Sequence, residues 1–433
     1  MRVDEGNTVT DFDIAQLNAD FHLQAMGRRW FLRAPFGVPA WGRQQKSLIG
    51  AYLLRARKRF DADQCAQALE SELCRMLGVR FCIATGSGRE AIKLALLGLD
   101  IRQGERVVLP SFCCFSVLQP LLELGIEPVL ADVGDDLQID PESVRRVMQP
   151  GDRALIVPHL FGGLADMSQL TAIARENGAT VIDDAAQAFG LRGPKGWAGT
   201  GGDAGILSFG LFKPLNAMGG GALLTDDETL YARALRNVDG AQRQRPSKGE
   251  VFRAFIKTAW RRVTFPLFLH HRRRQQTSQS LPSGRQPLNQ AVTLISPLHA
   301  RLAVSQLAQV AAQRQLAAAA AREFTEKLVQ LGFIQSDQDA CGDGLPRYVV
   351  RPSLKGSAAY KDLFAAFLKE GIEVQPTYRP LSRYLKAKGF RVQGEFERSE
   401  KLSEQLLCLP YSHKNGFRPV LRRLERSSTL QLL

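Results

Sequence analysis

The sequence lacks the cysteine spacings that would indicate a metal site or a disulfide framework. Its seven cysteines include no Cys-x-x-Cys pair, and their number is odd. Scattered thiols of this kind suit a reducing compartment, where buried cysteines act as small apolar side chains. We therefore expect no bound metal and no disulfide-stabilised secreted fold.

Long apolar runs are also missing. No stretch of about 18 or more uncharged apolar residues occurs, so no membrane-spanning helix is predicted. Residues 1–20 are acidic and polar, without the basic start and apolar centre of a secretory signal, and we expect a cytoplasmic protein. With 433 residues and 45% hydrophobic content, the chain can form two packed domains.

Positive charge is concentrated in one segment. The net charge is +14, and residues 241–285 hold eleven lysines and arginines against the single acid Glu250. The remainder is close to balanced, and no known nucleic-acid-binding motif accompanies the excess. We therefore expect no nucleic-acid partner.

Short apolar runs alternate with helical stretches from residue 81 onward. Helices are predicted at 45–60 and 65–77, and then strands at 81–84, 106–109, 128–131, 154–158, 180–182, 204–209 and 221–225. Helices are predicted at 90–97, 117–124, 167–177 and 227–236. This rhythm predicts an α/β fold with a mostly parallel central sheet flanked by helices.

The second half indicates a smaller α+β domain. It contains a long helix at 297–331, a strand at 348–351, a helix at 358–369 and a strand at 373–377. The predicted divisions are an N-terminal arm (1–45), a large domain (46–240), a basic insertion (241–295) and a small C-terminal domain that includes the long connecting helix (296–433).

Three motifs in the large domain carry chemistry. The turn Thr85-Gly-Ser-Gly-Arg-Glu90 joins a strand to a helix, where a phosphate could bind, although many ordinary turns are rich in glycine. Asp184 follows Asp183 at a strand end and could face a pyridine nitrogen, or one of the two could cap a helix. Lys213 lies between a strand and a glycine run, where a desolvated lysine can form an imine, although most loop lysines are simply exposed.

In this order the motifs resemble the DegT/DnrJ/EryC1/StrS family of sugar aminotransferases, which have the type I pyridoxal phosphate (PLP) fold. Supporting stretches lie at 158–167, at 296–303 and at Leu409-Pro410. The resemblance covers about residues 81–240 and 296–411. It implies a type I PLP-transferase-like architecture, with a mostly parallel sheet and a smaller C-terminal α+β domain.

The resemblance also implies roles for individual residues. Lys213 matches the lysine that forms a Schiff base with PLP and moves a proton. Asp184 matches the partner of the pyridinium nitrogen, and Gln187 the residue near the ring hydroxyl. Ser208 and Gly88 match phosphate-binding positions.

Three positions depart from the family pattern. Arg89 stands where the family usually has threonine, and it could still hold the phosphate as a charged donor. Cys114 replaces the aromatic residue that stacks on the PLP ring, with Phe112 and Phe115 as nearby alternatives. Val292 stands near the place of an asparagine that reaches the partner subunit's phosphate.

The function implied is transfer of an amino group, from glutamate in our expectation, to a keto-sugar nucleotide in polysaccharide or glycoconjugate biosynthesis, by a homodimer. One alternative is another PLP reaction, elimination or dehydration. Lys213 favours transamination, because sugar dehydratases of the family have histidine there. A second alternative is a diverged, weakly active member docked to a membrane polysaccharide assembly.

The insertion allows three interpretations. Five apolar residues (252, 255, 256, 259 and 263) share one predicted helical face, with basic residues off it. This pattern is typical of peripheral contact with an anionic membrane, here through residues 250–274. The segment could instead pack on the protein or its dimer mate. Nucleic-acid binding is a third interpretation without a supporting motif.

Overall fold

The computed structural model describes residues 41–54, 60–243, 246–259, 288–341, 347–353, 363–364, 366–411 and 416–426. Residues 1–40 of the predicted N-terminal arm lie outside the described residues, as does the basic segment 261–287. Half of the helix predicted at 358–369 also lies outside them, and its described residues, 363–364 and 366–369, are helical.

Helices surround the sheet of the larger lobe and continue into the smaller one. They are α1 (Arg43–Leu53), α2 (Ala62–Leu77), α3 (Gly88–Gly98), α4 (Phe115–Leu124), α5 (Pro141–Val147), α6 (Met167–Glu176), α7 (Glu228–Val238), α8 (Lys248–Ala259), α9 (Pro297–Gln330), α10 (Leu381–Ala387), α11 (Glu397–Gln405) and α12 (Arg418–Leu424).

Strands fall into a large sheet, a small sheet and one short hairpin. They are β1 (Phe81–Thr85), β2 (Arg106–Pro110), β3 (Glu127–Ala131), β4 (Ala154–Pro158), β5 (Thr180–Asp184), β6 (Arg192–Gly193), β7 (Gly196–Trp197), β8 (Ala204–Ser208), β9 (Gly221–Thr225), β10 (Ala340–Cys341), β11 (Tyr348–Val350), β12 (Gln375–Pro376) and β13 (Leu407–Leu409).

The large sheet has seven strands in the order β1-β9-β8-β5-β4-β2-β3. Strands β3, β2, β4, β5 and β8 are parallel, while β9 is antiparallel to both β1 and β8. The central strands β4 and β8 are buried along their whole length, which explains their nearly continuous apolar sequences. The predicted mostly parallel sheet is confirmed.

Register brings three strand ends together. Pro158 of β4 lies opposite Asp184 of β5, and Asp184 lies opposite Ile206 of β8, two residues before Ser208. Because the carboxyl ends of parallel strands share one edge, the Asp184 and Ser208 regions meet there. The helix α3 begins at the same edge, where the Ser87 side chain accepts a hydrogen bond from the Glu90 N–H (3.3 Å).

The smaller lobe is built on the antiparallel sheet β10-β11-β13-β12. Helix α9 joins the lobes as one continuous helix of 34 residues, beginning at the Ser296 cap. Its first part packs on α1 and α2, and its last turns supply Phe324 and Leu328 to the core of the smaller lobe. The predicted α+β C-terminal part is therefore confirmed.

A buried carboxylate ties the two lobes. Asp132 follows β3, and its oxygens accept hydrogen bonds from the N–H groups of Ser399 (2.9 Å) and Arg398 (3.1 Å) in the first turn of α11. Asp132 thus supplies from the larger lobe the cap that α11 lacks in its own sequence. Leu381 N–H also donates to the Ser111 carbonyl across the lobes (2.6 Å).

Some element bounds differ from the sequence prediction. The first helix ends at Leu53 rather than at residue 60. Helix α5 was not predicted, although its signals are present: Asp140 caps it through a bond from the Glu142 N–H, and Pro141 occupies its first turn.

The described part of the insertion packs on the protein. Val251 of α8 is buried, and the Phe255 ring stacks on Trp41 with centroids 6.3 Å apart. Phe252, by contrast, is 53% exposed. The apolar residues of α8 therefore do not form one free face, because Phe255 points to the protein. Among the described residues, no helix is long and apolar enough to cross a membrane.

Candidate active site

A cavity of about 120 Å³ lies where the ends of β4, β5 and β8 meet the first turns of α3 and α4. All seven residues that the sequence suggested as site residues line it: Gly88, Arg89, Cys114, Asp184, Gln187, Ser208 and Lys213. The fold thus brings together positions that are far apart in sequence.

Lys213 follows β8 in a strained loop. Phe212, immediately before it, has a φ of 63°, in the left-handed region that costs a non-glycine residue free energy. Burial lowers the pKa of the Lys213 amine, and the nearby Arg347 guanidinium acts in the same direction. More of this amine is therefore uncharged near neutral pH than in an exposed lysine.

Asp184 ends β5 with its side chain buried. One carboxylate oxygen accepts a hydrogen bond from the Ala186 N–H (2.9 Å) in the turn that follows β5, and no helix begins at this turn. Burial raises the pKa of Asp184, while Lys213 and His159 pull it down. A cation against this carboxylate would therefore stabilise its ionised form.

His159 and Asp183 form a buried layer beside Asp184, and His159 also lines the cavity. The His159 Nδ1 accepts the Ala165 N–H (3.0 Å), so a neutral ring carries its proton on Nε2, which lies 2.9 Å from an Asp183 oxygen. Both side chains are buried. Sequence reasoning did not assign His159 a role, although its position directly after β4, at the same sheet edge, was an available signal.

Gly88, Arg89 and Ser208, the predicted phosphate ligands, lie together at the start of α3, and we call them the phosphate cradle. A side-chain carbon at Gly88 would come 2.9 Å from the Ser208 Cβ and 3.2 Å from its hydroxyl oxygen, so the backbone approaches this serine as closely as possible. The free N–H groups of a helix start favour an anion there. Arg89 adds an exposed guanidinium at the mouth of the cavity.

Cys114 lines the cavity, whereas the neighbouring aromatic side chains point away. Phe112 is fully buried against Phe161, and Phe115 packs on Tyr384 with centroids 4.6 Å apart. The Cys114 sulfur lies 2.7 Å from the Ser116 hydroxyl. The two alternative stacking residues are thus engaged elsewhere, and a thiol occupies the predicted ring-stacking position.

The smaller lobe contributes Arg347 and Tyr378 beside the cavity. The Arg347 guanidinium lies 5.1 Å from the centre of the Tyr378 ring, which in turn stacks on Phe161 (5.4 Å). Burial raises the pKa of Tyr378, so its hydroxyl stays protonated. Sequence reasoning missed both residues, because Arg347 directly precedes β11 and Tyr378 lies two residues after β12, and neither position carries a recognisable motif.

Val292 is buried in the core of the larger lobe. Val292 therefore makes an internal apolar contact, and its predicted place near the asparagine of the family pattern stays a prediction.

The residues present fit PLP. The Asp184 oxygen not bonded to Ala186 has no hydrogen-bond partner among the described residues, which suits a protonated ring nitrogen. The Gln187 side-chain oxygen accepts the Phe161 N–H only at 3.4 Å, which leaves its amide N–H groups for a ring hydroxyl. The phosphate cradle completes the set.

A second, larger groove of about 990 Å³ lies along the edge strand β3 and residues 391–398. Its lining carries both signs of charge and none of the seven site residues. In the part of the chain that the structure describes, no group of three or more His, Cys, Asp or Glu could hold a metal ion.

The sheet order, the lysine after β8 and the buried aspartate after β5 define an α/β enzyme of the PLP-dependent type I class. The chain belongs to the DegT/DnrJ/EryC1/StrS aminotransferase family, which matches residues 54–416. The predicted family, the aminotransferase class and the PLP cofactor are thereby confirmed.

Solved structures share the fold over nearly the whole chain. A DegT DnrJ EryC1 StrS aminotransferase from Brucella abortus is 22% identical, with 88% of this chain and 94% of that chain covered and a TM-score of 0.66. DesI in the presence of its TDP-sugar product is 21% identical (95% and 96% covered, TM-score 0.69). The E. coli GDP-4-keto-6-deoxy-D-mannose-3-dehydratase with bound hydrated PLP is 16% identical (91% and 98% covered, TM-score 0.70).

Proposed function

We propose that this enzyme moves an amino group from glutamate to a keto-sugar nucleotide in polysaccharide or glycoconjugate biosynthesis. The observation that carries the proposal is the meeting of Lys213 and Asp184 in one cavity beside the phosphate cradle. Both an aminotransferase and a dehydratase are among the solved structures of this fold. Lysine rather than histidine at position 213 favours amino transfer.

The cofactor would be held by the residues that line the cavity. Asp184 would bind the ring nitrogen, Gln187 the ring hydroxyl, and the phosphate cradle the phosphate. When bound, PLP supplies an electron-withdrawing ring that stabilises negative charge on the carbon next to the amine. The His159–Asp183 layer would hold Asp184 in place.

Lys213 would be the proton carrier. Because burial lowers its pKa, its amine can be uncharged and accept a proton from the substrate carbon. The same Nζ can then deliver that proton to the neighbouring position. Tyr378 and Phe161 would form an apolar wall that keeps water from the reacting atoms.

Arg347 would bind the carboxylate of the amino donor. A guanidinium presents paired N–H donors that match a carboxylate, and Arg347 lies near enough to Lys213 to affect its pKa. We expect Arg347→Met to raise the KM for glutamate about tenfold or more, with a much smaller change in the KM for the keto-sugar nucleotide. Initial rates with each substrate varied in turn measure this, and equal effects on both would contradict the assignment.

The test of the cofactor site uses absorbance and mass spectrometry. Protein with PLP should absorb visible light, lose that band with borohydride, and then carry the cofactor mass on the peptide containing Lys213. Lys213→Ala should abolish both signals, while the exposed Lys195→Ala serves as the matched control. Absence of bound PLP in the wild-type protein would refute the proposal.

The reaction type is tested with glutamate and a panel of keto-sugar nucleotides. Amino transfer produces 2-oxoglutarate in equal amount to the amino sugar. A deoxygenated sugar without an amino group would identify the elimination or dehydration alternative instead.

We also propose a homodimer and a peripheral membrane contact. The dimer is supported by the resemblance to the family, and light scattering of the purified protein tests it. The membrane contact through residues 250–274 is supported by the exposed Phe252 beside Arg253 and by the basic insertion. A weakly active member docked to a membrane assembly would keep this contact without measurable amino transfer.

A further inference from the structure

Four side chains link the mouth of the cavity to the end of the insertion. An Arg89 nitrogen donates to the Gln119 side-chain oxygen (2.8 Å), and the Gln119 side-chain nitrogen donates to Glu123 (2.7 Å). Glu123 is 2.5 Å from the Lys93 amine, which also donates to the Ala291 carbonyl (3.2 Å). We call Arg89, Gln119, Glu123 and Lys93 the relay.

The chemistry of the four side chains determines which of them donates and which accepts each hydrogen bond of the relay. A guanidinium can only donate hydrogen bonds and a carboxylate can only accept them. The amide of Gln119 must therefore turn its oxygen to Arg89 and its nitrogen to Glu123. An amide side chain satisfies both neighbours at once, and asparagine is shorter than glutamine by one methylene.

The far end of the relay is anchored. The Lys93 side chain is 2% exposed, and that of Glu123 is 16% exposed. The Glu123 carbonyl also accepts the Asn289 N–H (2.8 Å), so helix α4 is bound to the end of the insertion. An ion pair this enclosed keeps its geometry, because separating it would leave a buried charge unpaired.

Arg89 lies at the end of the relay beside the cavity, and among the described residues no carboxylate pairs with its positive charge. Its hydrogen bond among the described residues is to the neutral Gln119 amide, and its side chain is exposed at the cavity beside Gly88. Its remaining N–H donors are directed by the relay while its positive charge is not neutralised. A phosphate is the ligand that this arrangement suits.

We propose that Gln119, held by Glu123 and Lys93, is a positioning residue that presents Arg89 to a phosphate group at the mouth of the cavity. This inference rests on the proposed PLP site. Two phosphates share the required chemistry, the 5′-phosphate of the cofactor and the diphosphate of the nucleotide substrate, and the experiment separates them.

The first measurement compares PLP with pyridoxal, which lacks the phosphate, in absorbance titrations of cofactor-free protein. If Arg89 binds the cofactor phosphate, Gln119→Leu lowers PLP affinity roughly three- to tenfold and Arg89→Leu lowers it roughly tenfold or more. Pyridoxal affinity then changes less than about twofold. A merely structural role would weaken both ligands alike.

The second measurement uses PLP-loaded protein and compares UDP, dTDP and GDP with their nucleosides by calorimetry. If Arg89 binds the substrate diphosphate, the same variants lose affinity for the diphosphate that binds but not for its nucleoside. The ratio of PLP affinity to pyridoxal affinity is then the same in the variants as in the wild type.

A double variant tests whether Gln119 acts through Arg89. Arg89→Leu with Gln119→Leu should be no weaker in phosphate binding than Arg89→Leu alone. Gln169→Leu is the matched control, because Gln169 also bonds a carboxylate, that of Asp166, on the exposed side of α6. Thermal unfolding shows that each variant is folded.

The inference is overturned if folded Gln119→Leu protein discriminates PLP from pyridoxal, and diphosphate from nucleoside, as the wild type does. It is also overturned if the double variant is clearly weaker than Arg89→Leu. Failure of wild-type protein to bind either PLP or pyridoxal would instead refute the proposed function, so the two failures are distinguishable.

Discussion

At Gly88 the first turn of α3 passes so close to the end of β8 that no side chain fits between them. A Cβ at Gly88 would lie 2.9 Å from the Ser208 Cβ, and a parallel bridge joins the neighbouring Ser87 to Gly220, directly before β9. The Gly-rich turn of the sequence therefore has a steric reason, the close approach of two elements, in addition to its suitability for a phosphate.

We expect Gly88→Ala to destabilise the protein by about 1–3 kcal/mol and to weaken PLP binding, because the new methyl group overlaps Ser208. Urea unfolding and PLP titration measure the two effects. Gly50→Ala is the matched control, since nothing lies within 4 Å of a Cβ there and stability should stay equal or rise. Equal stability of Gly88→Ala and wild type would contradict the steric argument.

His299 is a buried residue whose protonation opposes folding. Burial lowers its pKa to about 4, and its ring packs against Gly219 in the glycine run after Lys213. In the unfolded chain the pKa returns to near 6.5. Between these values the unfolded state binds a proton that the folded state does not, so stability falls as the pH falls from 6.5 to 4.

We expect this loss to amount to about 3 kcal/mol over that interval, and His299→Gln to remove it. Urea unfolding at a series of pH values, with wild type and variant side by side, gives the slopes. If both proteins lose stability in parallel, other groups carry the acid sensitivity and the assignment to His299 is wrong.

Among the helices, α9 has two structural roles. It joins the lobes, and near its middle the buried Arg314 contacts the loop after β5. The Arg314 Nε donates to the Phe189 carbonyl (2.7 Å), and a second guanidinium nitrogen donates to the Gln187 carbonyl. The arginine thereby fixes the backbone of Gln187, a proposed cofactor ligand. An Ala-rich helix could be predicted from sequence, but this contact could not.

Arg314→Met should destabilise the protein by about 2–4 kcal/mol, because at least two carbonyls lose a charged donor inside the core. The exposed Arg322→Met on the same helix is the control and should change stability little. Chemical unfolding supplies the comparison. A stable Arg314→Met protein that also keeps wild-type PLP affinity would argue against a positioning role for this helix.

On the scale of the whole molecule, the excess positive charge belongs to one segment of the sequence, residues 241–285. The described start of that segment, α8, uses Val251 and Phe255 to pack on the larger lobe and leaves Phe252 at the surface. The insertion is thus attached to the protein at one end and rejoins it near α4, where Asn289 bonds Glu123.

For the membrane contact, we expect wild-type protein to sediment with vesicles that contain phosphatidylserine and not with phosphatidylcholine alone. Phe252→Ser should lower this binding roughly tenfold, since burying one phenylalanine contributes about 1.5–3 kcal/mol. Leu316→Ser, at an even more exposed leucine of α9, should have no effect. Equal sedimentation with both lipids, or none, would leave packing on the protein as the function of the insertion.

The sequence by itself determined the class of fold and the main site positions. Buried strands have nearly continuous apolar sequences because both faces of the sheet are covered. Asp184, Ser208 and Lys213 lie at strand ends or in the loop after a strand, where α/β proteins bind ligands. Only the tertiary structure decided which side chains surround them. His159 with Asp183, Gln119 with Arg89, and Arg347 from the smaller lobe meet through packing between elements, and no local pattern records such contacts.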